Sequence, residues 1–263
     1  MRLLIPVLMA CTTFFSYGQK FKRVTFNYEK LKTENFGGCE DSINLLLDKS
    51  YTEIQQNNSA AAVKSAQSVY DRKKDCYEVY DATGYALFRN GQWLEGVEII
   101  EAGIKKFGSV PPLIERRYKM SIEMAQLGTG RKEVDGNTVF SKANALKYDE
   151  EQFIAANFRS ALLDLHYLIK TYNREEEIYY AAKIHQILKE YDQSNTYFRK
   201  LLNNEAFGLD ASFNLADNYL SQNKLAEAEN ELEQLLKTHV KEGVIYEKLA
   251  EVYEKKGDQT KAE

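Results

Sequence analysis

The sequence predicts an all-α protein, an α-solenoid of antiparallel helix hairpins, from three observations. Ala182, Ala216 and Ala250 lie 34 residues apart, as do Ser194, Ala228 and Ala262, and Leu215/Leu249 and Tyr219/Tyr253 repeat in two further registers. A period of that length marks stacked units that bury their apolar faces only against their neighbours. Ala, Leu, Glu, Lys and Gln, all good helix formers, dominate the C-terminal third. From residue 39 onward no run alternates apolar and polar residues over a strand's length, and the only prolines there are Pro111 and Pro112. Such an array points to a binding scaffold, not to a catalyst.

Taken in order, residues 1–18 read as a secretory signal peptide. Arg2 supplies the positive start and Leu3 to Ala10 a short apolar core. Ser16-Tyr17-Gly18 then offers small residues at both positions a signal peptidase reads, leaving Gln19 first. The ending resembles signal peptides of Gram-negative bacteria of the Bacteroidota type. At about 15 apolar residues the stretch falls short of the roughly 20 a membrane span needs. A competing reading is lipidation, because Leu8-Met9-Ala10-Cys11 resembles a bacterial lipobox with Cys11 as the acylated residue. Against it, the apolar run before Cys11 is short, and Phe14 and Phe15 continue that run beyond it. The expected location is the periplasm, or, with Cys11 acylated, the outer membrane through a lipid anchor.

Cleavage would leave 34 basic against 39 acidic residues, a balance of −5. That is too mild to imply an acidic partner, and no basic patch interleaves with aromatics, which argues against nucleic acid. Cys39 and Cys76 remain. In an oxidising compartment they read as one disulfide, worth on the order of 3–4 kcal/mol in the chain-entropy model, and otherwise as two buried thiols. No Cys-x-x-Cys pair signals a redox site.

Residues 19–38 begin basic, and Val24, Phe26 and Tyr28 then alternate with polar residues before Gly37-Gly38. We expect an extended arm, since a lone strand has nothing to pair with. Residues 39–112 hold N-terminal hairpins. One carries Tyr80, Gly84, Leu87, Gly91, Trp93, Gly96, Ile100 and Gly103, with Asn90-Gly91 as its bend. A degenerate copy precedes it, around Leu45 to Ile54, Asn57 and Ala62. Pro111-Pro112 mark a junction. Residues 113–174 read as two or three helices out of register, interrupted by a loop from Gly128-Thr129-Gly130 through Gly136-Asn137. Residues 175–263 form the C-terminal array, whose last unit is unfinished at Glu263, so continuation beyond it is expected.

In this register the residues resemble the tetratricopeptide repeat. The unit from Leu209 places Leu215, Ala216, Tyr219, Leu225, Ala228 and Leu232 at that family's large and small positions. The next carries Tyr246, Leu249, Ala250, Tyr253, Gly257 and Ala262, and the one before it Ile178, Ala181, Ala182, Tyr191, Ser194, Phe198 and Leu201, with His185 as a departure. The resemblance implies a right-handed superhelix with small residues where two helices cross. It also implies a concave groove lined by first-helix positions. Carried over, these are Tyr179, Lys183 and Gln186, then Phe213, Asp217 and Leu220, then Glu247, Glu251 and Glu254. Members of the family that clamp a carboxylate place lysine, arginine and asparagine there. Asp217 and three glutamates argue against an acidic tail and for a basic or amphipathic segment of a protein or peptide.

No catalytic constellation stands out. His166, His185 and His239 are scattered without metal-ligand spacing, and His185 reads as packing. Gly128-Thr129-Gly130 lacks a preceding strand and a Gly-Lys-Ser/Thr ending, and no Gly-x-Ser-x-Gly elbow occurs. Glu175-Glu176-Glu177 read as a solvated helix start. Most of the eighteen tyrosines and thirteen phenylalanines read as core. No cofactor and no metal is expected. The function expected is a periplasmic adaptor; the alternative is an anchored lipoprotein whose repeats bind a glycan or other ligand. For that alternative the one tryptophan, Trp93, falls on a packing position.

Overall fold

A computed structural model describes residues 38–130, 150–239 and 242–262, with backbone alone at 127–130 and 150. The expected signal peptide, Cys11, the arm up to Gly37, and Gly136-Asn137 lie outside the described residues. Among those described, every regular element is a helix: α1 (Asp41–Gln55), α2 (Ser59–Tyr70), α3 (Tyr77–Arg89), α4 (Trp93–Phe107), α5 (Pro111–Gly130), α6 (Glu150–Tyr172), α7 (Glu175–Ile187), α8 (Tyr191–Arg199), α9 (Gly208–Ser221), α10 (Leu225–Thr238), α11 (Gly243–Lys256) and α12 (Gln259–Ala262). Successive helices pair as hairpins: α1 with α2, α3 with α4, α7 with α8, α9 with α10, and α11 with α12. The chain divides into two compact units between Asp164 and Leu165, inside α6.

The period is written into the backbone as well as the side chains. Left-handed residues close the first helix of each hairpin at Asn57 and Gly91, 34 residues apart, and again at Lys189, Asn223 and Gly257. Each lets the helix end and the chain reverse within a few residues. The two series do not share a phase, so the array is interrupted between them.

In the first unit, α3 and α4 cross at glycines because nothing larger fits. A Cβ on Gly96 would lie 2.7 Å from the Gly84 carbonyl oxygen, and one on Gly84 would lie 2.7 Å from Ile100 Cδ1. Ile100 and Phe88 fill the space beside them, with Tyr80, Leu113 and Phe153 in the same core. Leu47, Ala62, Ala66 and Val79 join α1 and α2 to α3 in a second cluster. A disulfide links Cys39 and Cys76, whose Cα atoms are 5.1 Å apart, and ties the start of α1 to the start of α3.

In the second unit, Ala182, Ala216 and Ala228 are fully buried at the crossings, within a core that includes Phe198, Leu215, Leu232, Ile245 and Leu249. Burying such apolar surface is the main stabilising term for helices this short.

Two expectations need correction. The loop placed at Gly128-Thr129-Gly130 is the last stretch of α5, which runs from Pro111 to Gly130. Two flanking glycines weaken a helix by roughly 1 kcal/mol each but do not end it when the preceding turns are packed. Residues 113–174 accordingly contribute two long helices among the described residues, α5 and α6. The second correction concerns Glu175-Glu176-Glu177. These residues do begin α7, yet Glu177 is turned inward at 2% exposure, with the Arg174 guanidinium 3.8 Å from its carboxylate. Among the described residues no helix is long and apolar enough to cross a membrane.

Candidate functional site

The first helices of the hairpins carry the polar side chains that link one hairpin to the next. In the second unit these are α7, α9 and α11. Lys183 of α7 reaches Asn214 of α9 at 2.8 Å and Gln186 at 3.1 Å. Gln186 donates to the Asn218 side chain at 2.7 Å, and Asn218, fully buried, donates in turn to Ser194 and Asn195 of α8 at 2.8 and 2.7 Å. Asn214 donates back to the Asp210 carbonyl at 2.7 Å. This chain of amides satisfies polar atoms that burial would otherwise leave unpaired. Desolvation pushes the Lys183 ammonium down to about 8, although Asp217 and Asp210 pull it the other way. Burial also holds the Asp210 carboxyl above its usual range, with Lys183 opposing.

On α11, Lys248 sits 2.7 Å from Asp217 of α9 and 3.5 Å from Glu251, and Lys255 lies 3.5 Å from Glu251 on its other side. Tyr179 stacks on Phe207 at 5.1 Å between centroids and meets Phe198 edge-on at 6.1 Å. Burial, with Asp210 nearby, drives its phenol well above the usual tyrosine range.

The structure therefore sorts the predicted groove residues into three kinds. Lys183, Gln186 and Asp217 belong to the floor and already hold partners within the protein. Tyr179 and Phe213 are half-buried against the core, and Glu247 and Glu254 stand exposed on α11. Glu251 shares lysines with its neighbours. Leu220 is corrected: it is 7% exposed and part of the apolar core, because its place on α9 faces the hairpin partner. The acidic character expected of the groove is also tempered, since Lys248 neutralises Asp217. Asp210, Asn214 and Lys248 were missed. They share the faces of α9 and α11 that carry Asp217 and Glu251, and reading whole helix faces would have found them.

The first unit has its own floor on α1, α3 and α5. Asp81 receives a two-pronged bond from Arg116 at 2.7 and 2.9 Å and a third from the Tyr51 hydroxyl at 2.5 Å. The guanidinium lies over the Tyr85 ring at 3.9 Å. Both charged residues are buried, at 1% and 4% exposure, and the carboxylate holds Arg116 charged despite desolvation. Beside them Arg117 forks onto Asp164 at 2.9 and 2.7 Å. Asp81 and Tyr85 stand at the groove register of the 77–107 hairpin. Aligning the bend at Gly91 with the bend at Gly257, rather than carrying the 34-residue spacing across the interruption, would have named them. His185 packs as expected, its Nδ1 donating to Glu190 at 2.7 Å and its ring parallel to Tyr197.

Residues 213–263 match the family model of the tetratricopeptide repeat. No curated protein matches the chain in sequence. Among solved structures, the C-terminal part of a TPR repeat-containing protein from Cytophaga hutchinsonii is similar at 16% identity and a TM-score of 0.59, over 89% of this chain and 83% of that one. A tetratricopeptide repeat protein from Parabacteroides merdae aligns at 15% identity and a TM-score of 0.54, over 85% and 77% of the two chains. Residues 41 to the end of MamA from Desulfovibrio magneticus align at 10% identity and the same TM-score, over 77% and 98%. At these identities the likeness establishes the fold, an all-helical tetratricopeptide-type solenoid.

Proposed function

We propose that the protein is a non-catalytic adaptor of the bacterial cell envelope that holds a basic or amphipathic segment of a protein partner along α7, α9 and α11. The observation that carries this reading is the division of labour in the second unit. The floor cations Lys183 and Lys248 are committed to Asn214 and Asp217, while Glu247 and Glu254 stand exposed on α11 and Tyr179 and Phe213 are half-buried on α7 and α9. Exposed carboxylates and half-buried aromatics on first helices of one unit suit a cationic segment with apolar side chains, and the carboxylates steer its approach. The helical scaffold supports the choice of a protein partner, and residues 1–18 support export.

Crosslinking in the cell envelope followed by mass spectrometry tests the reading. Recovery of a partner whose contact segment is rich in lysine or arginine is expected. Recovery of no protein, together with oligosaccharide binding in calorimetry, would replace the adaptor by the glycan-binding alternative. Fatty-acid labelling, with Cys11→Ala as control, decides between a free periplasmic protein and an anchored one; a label lost in Cys11→Ala establishes the anchor.

A further inference from the structure

Near Gly38 in the first unit, one carboxylate is buried with no cation among the described residues to balance it. Glu78, at 6% exposure, accepts the Cys39 backbone N–H at 3.0 Å, and among the described residues it has no ion-pair partner. The carboxylate is pressed so close to Gly38 that a Cβ there would fall 2.2 Å from Oε1. Buried charges are ordinarily paired or bound to metal. What Glu78 faces instead is sulfur: ligand atoms of Cys39, Cys76 and Glu78 all lie within 4.8 Å of one another.

Donor type and placement both favour a soft divalent ion. Two thiolates and a carboxylate, with water in the fourth position, form a set that zinc accepts. Zinc–ligand distances of roughly 2.0–2.3 Å place such donors about 3.2–3.8 Å apart, so the sulfurs, bonded to each other here, would have to part on reduction, while the Glu78 carboxylate already lies within 4.8 Å of both. Cys76 is the N-cap of α3 and Cys39 stands just before the N-cap of α1, so both sulfurs sit at helix N-termini. That location favours the thiolate over the thiol. We propose that Cys39, Cys76 and Glu78 form a redox-gated zinc site, closed as a disulfide when oxidised and able to take one Zn2+ when reduced.

The conversion balances with an external dithiol as reductant. Its two thiols reduce the Cys39–Cys76 bond and leave as a disulfide, their protons and the two electrons passing to the protein sulfurs. Zn2+ then binds the two sulfurs and releases both protons to solvent. In either state the start of α1 stays fastened to the start of α3, first by the S–S bond and then by the ion.

The test uses the full chain carrying Cys11→Ala, reduced with a phosphine that is then removed without air, and titrated with Co2+ and afterwards Zn2+. One Co2+ per chain is expected, with a sulfur-to-cobalt absorption band that Zn2+ abolishes and that the oxidised chain never shows. Glu78→Gln keeps an acceptor for the Cys39 N–H but removes the charge. It is expected to raise the Co2+ dissociation constant by about 10-fold or more, on the scale of lost support to a metal site. Three results would overturn the proposal: no band in the reduced chain, whether or not circular dichroism shows it folded; the same band in the Cys39→Ser, Cys76→Ser chain; or unchanged affinity in Glu78→Gln.

Discussion

The unit ending at Asp164 ties the first helices of its hairpins with a buried ion pair, Arg116 on Asp81, and lets two helices cross at glycine. The unit beginning at Leu165 ties them with amides, Lys183–Asn214 and Gln186–Asn218, and crosses at alanine. Both devices solve one problem, which is to hold successive hairpins in register. They differ in how they fail. A buried ion pair contributes little net stability over a well-packed apolar replacement, yet losing one partner strands a charge. An amide network fails in smaller steps, because each lost bond strands a neutral group.

The largest effect is therefore expected in the first unit. Asp81→Ala leaves Arg116 buried without its counter-ion and should lower stability by about 3–5 kcal/mol in urea denaturation. An effect below 1 kcal/mol would mean that water reaches Arg116 and that the two floors are alike. Next comes the amide floor. Asn218→Ala, which deprives Gln186, Ser194 and Asn195 of a partner, should cost about 1–3 kcal/mol in the same assay.

The crossings offer a sharper contrast. Gly96→Ala forces a Cβ against the Gly84 carbonyl and should destabilise by roughly 1–3 kcal/mol, although alanine is the better helix former. Ala216→Gly, the reverse change in the second unit, should cost about 0.5–1 kcal/mol in helix propensity, with a small addition for the lost methyl. Equal and opposite effects would remove the distinction between the two crossings.

The remaining difference is electrostatic and shows as a trend with pH. The Lys183 ammonium titrates at about 8 in the folded protein against an ordinary value of 10.5. Between those values the unfolded chain binds the extra proton, so stability should rise as pH goes from about 8 to 10. Above pH 10 the trend should reverse, because burial raises the Tyr179 and Tyr180 phenols in the folded state and ionisation then favours unfolding. Lys183→Gln should flatten the rise, as read from urea midpoints across that range.

What the sequence made legible follows from the same contrast. Where the crossings are alanine and the pattern repeats at 34 residues, the hairpins of the second unit could be placed residue by residue. Spacing also marked Gly84, Gly96 and Gly103 as crossing positions, but only the geometry explains why alanine is absent there. The floors were half legible. Register found Lys183, Gln186 and Asp217, but it counted Leu220 as groove surface. It also counted Asp217 and Glu251 as groove acids without the lysine that serves both, although Lys248, three residues before Glu251 on α11, was there to be read. The Arg116–Asp81 pair was not foreseen, since it joins residues 35 apart whose contact depends on how α3 and α5 pack. Glu78 gave no signal at all, as its burial comes from the approach of the α1 start.

The central claim is that a partner lies along the first-helix face of the second unit. It is tested most directly by placing a photo-crosslinking amino acid at Phe213, at Glu247 and, as a control on the second helix of a hairpin, at exposed Glu233. The account predicts one protein adduct in cells from Phe213 and Glu247 and none from Glu233. An adduct from Glu233 alone, or equally from all three positions, would contradict it.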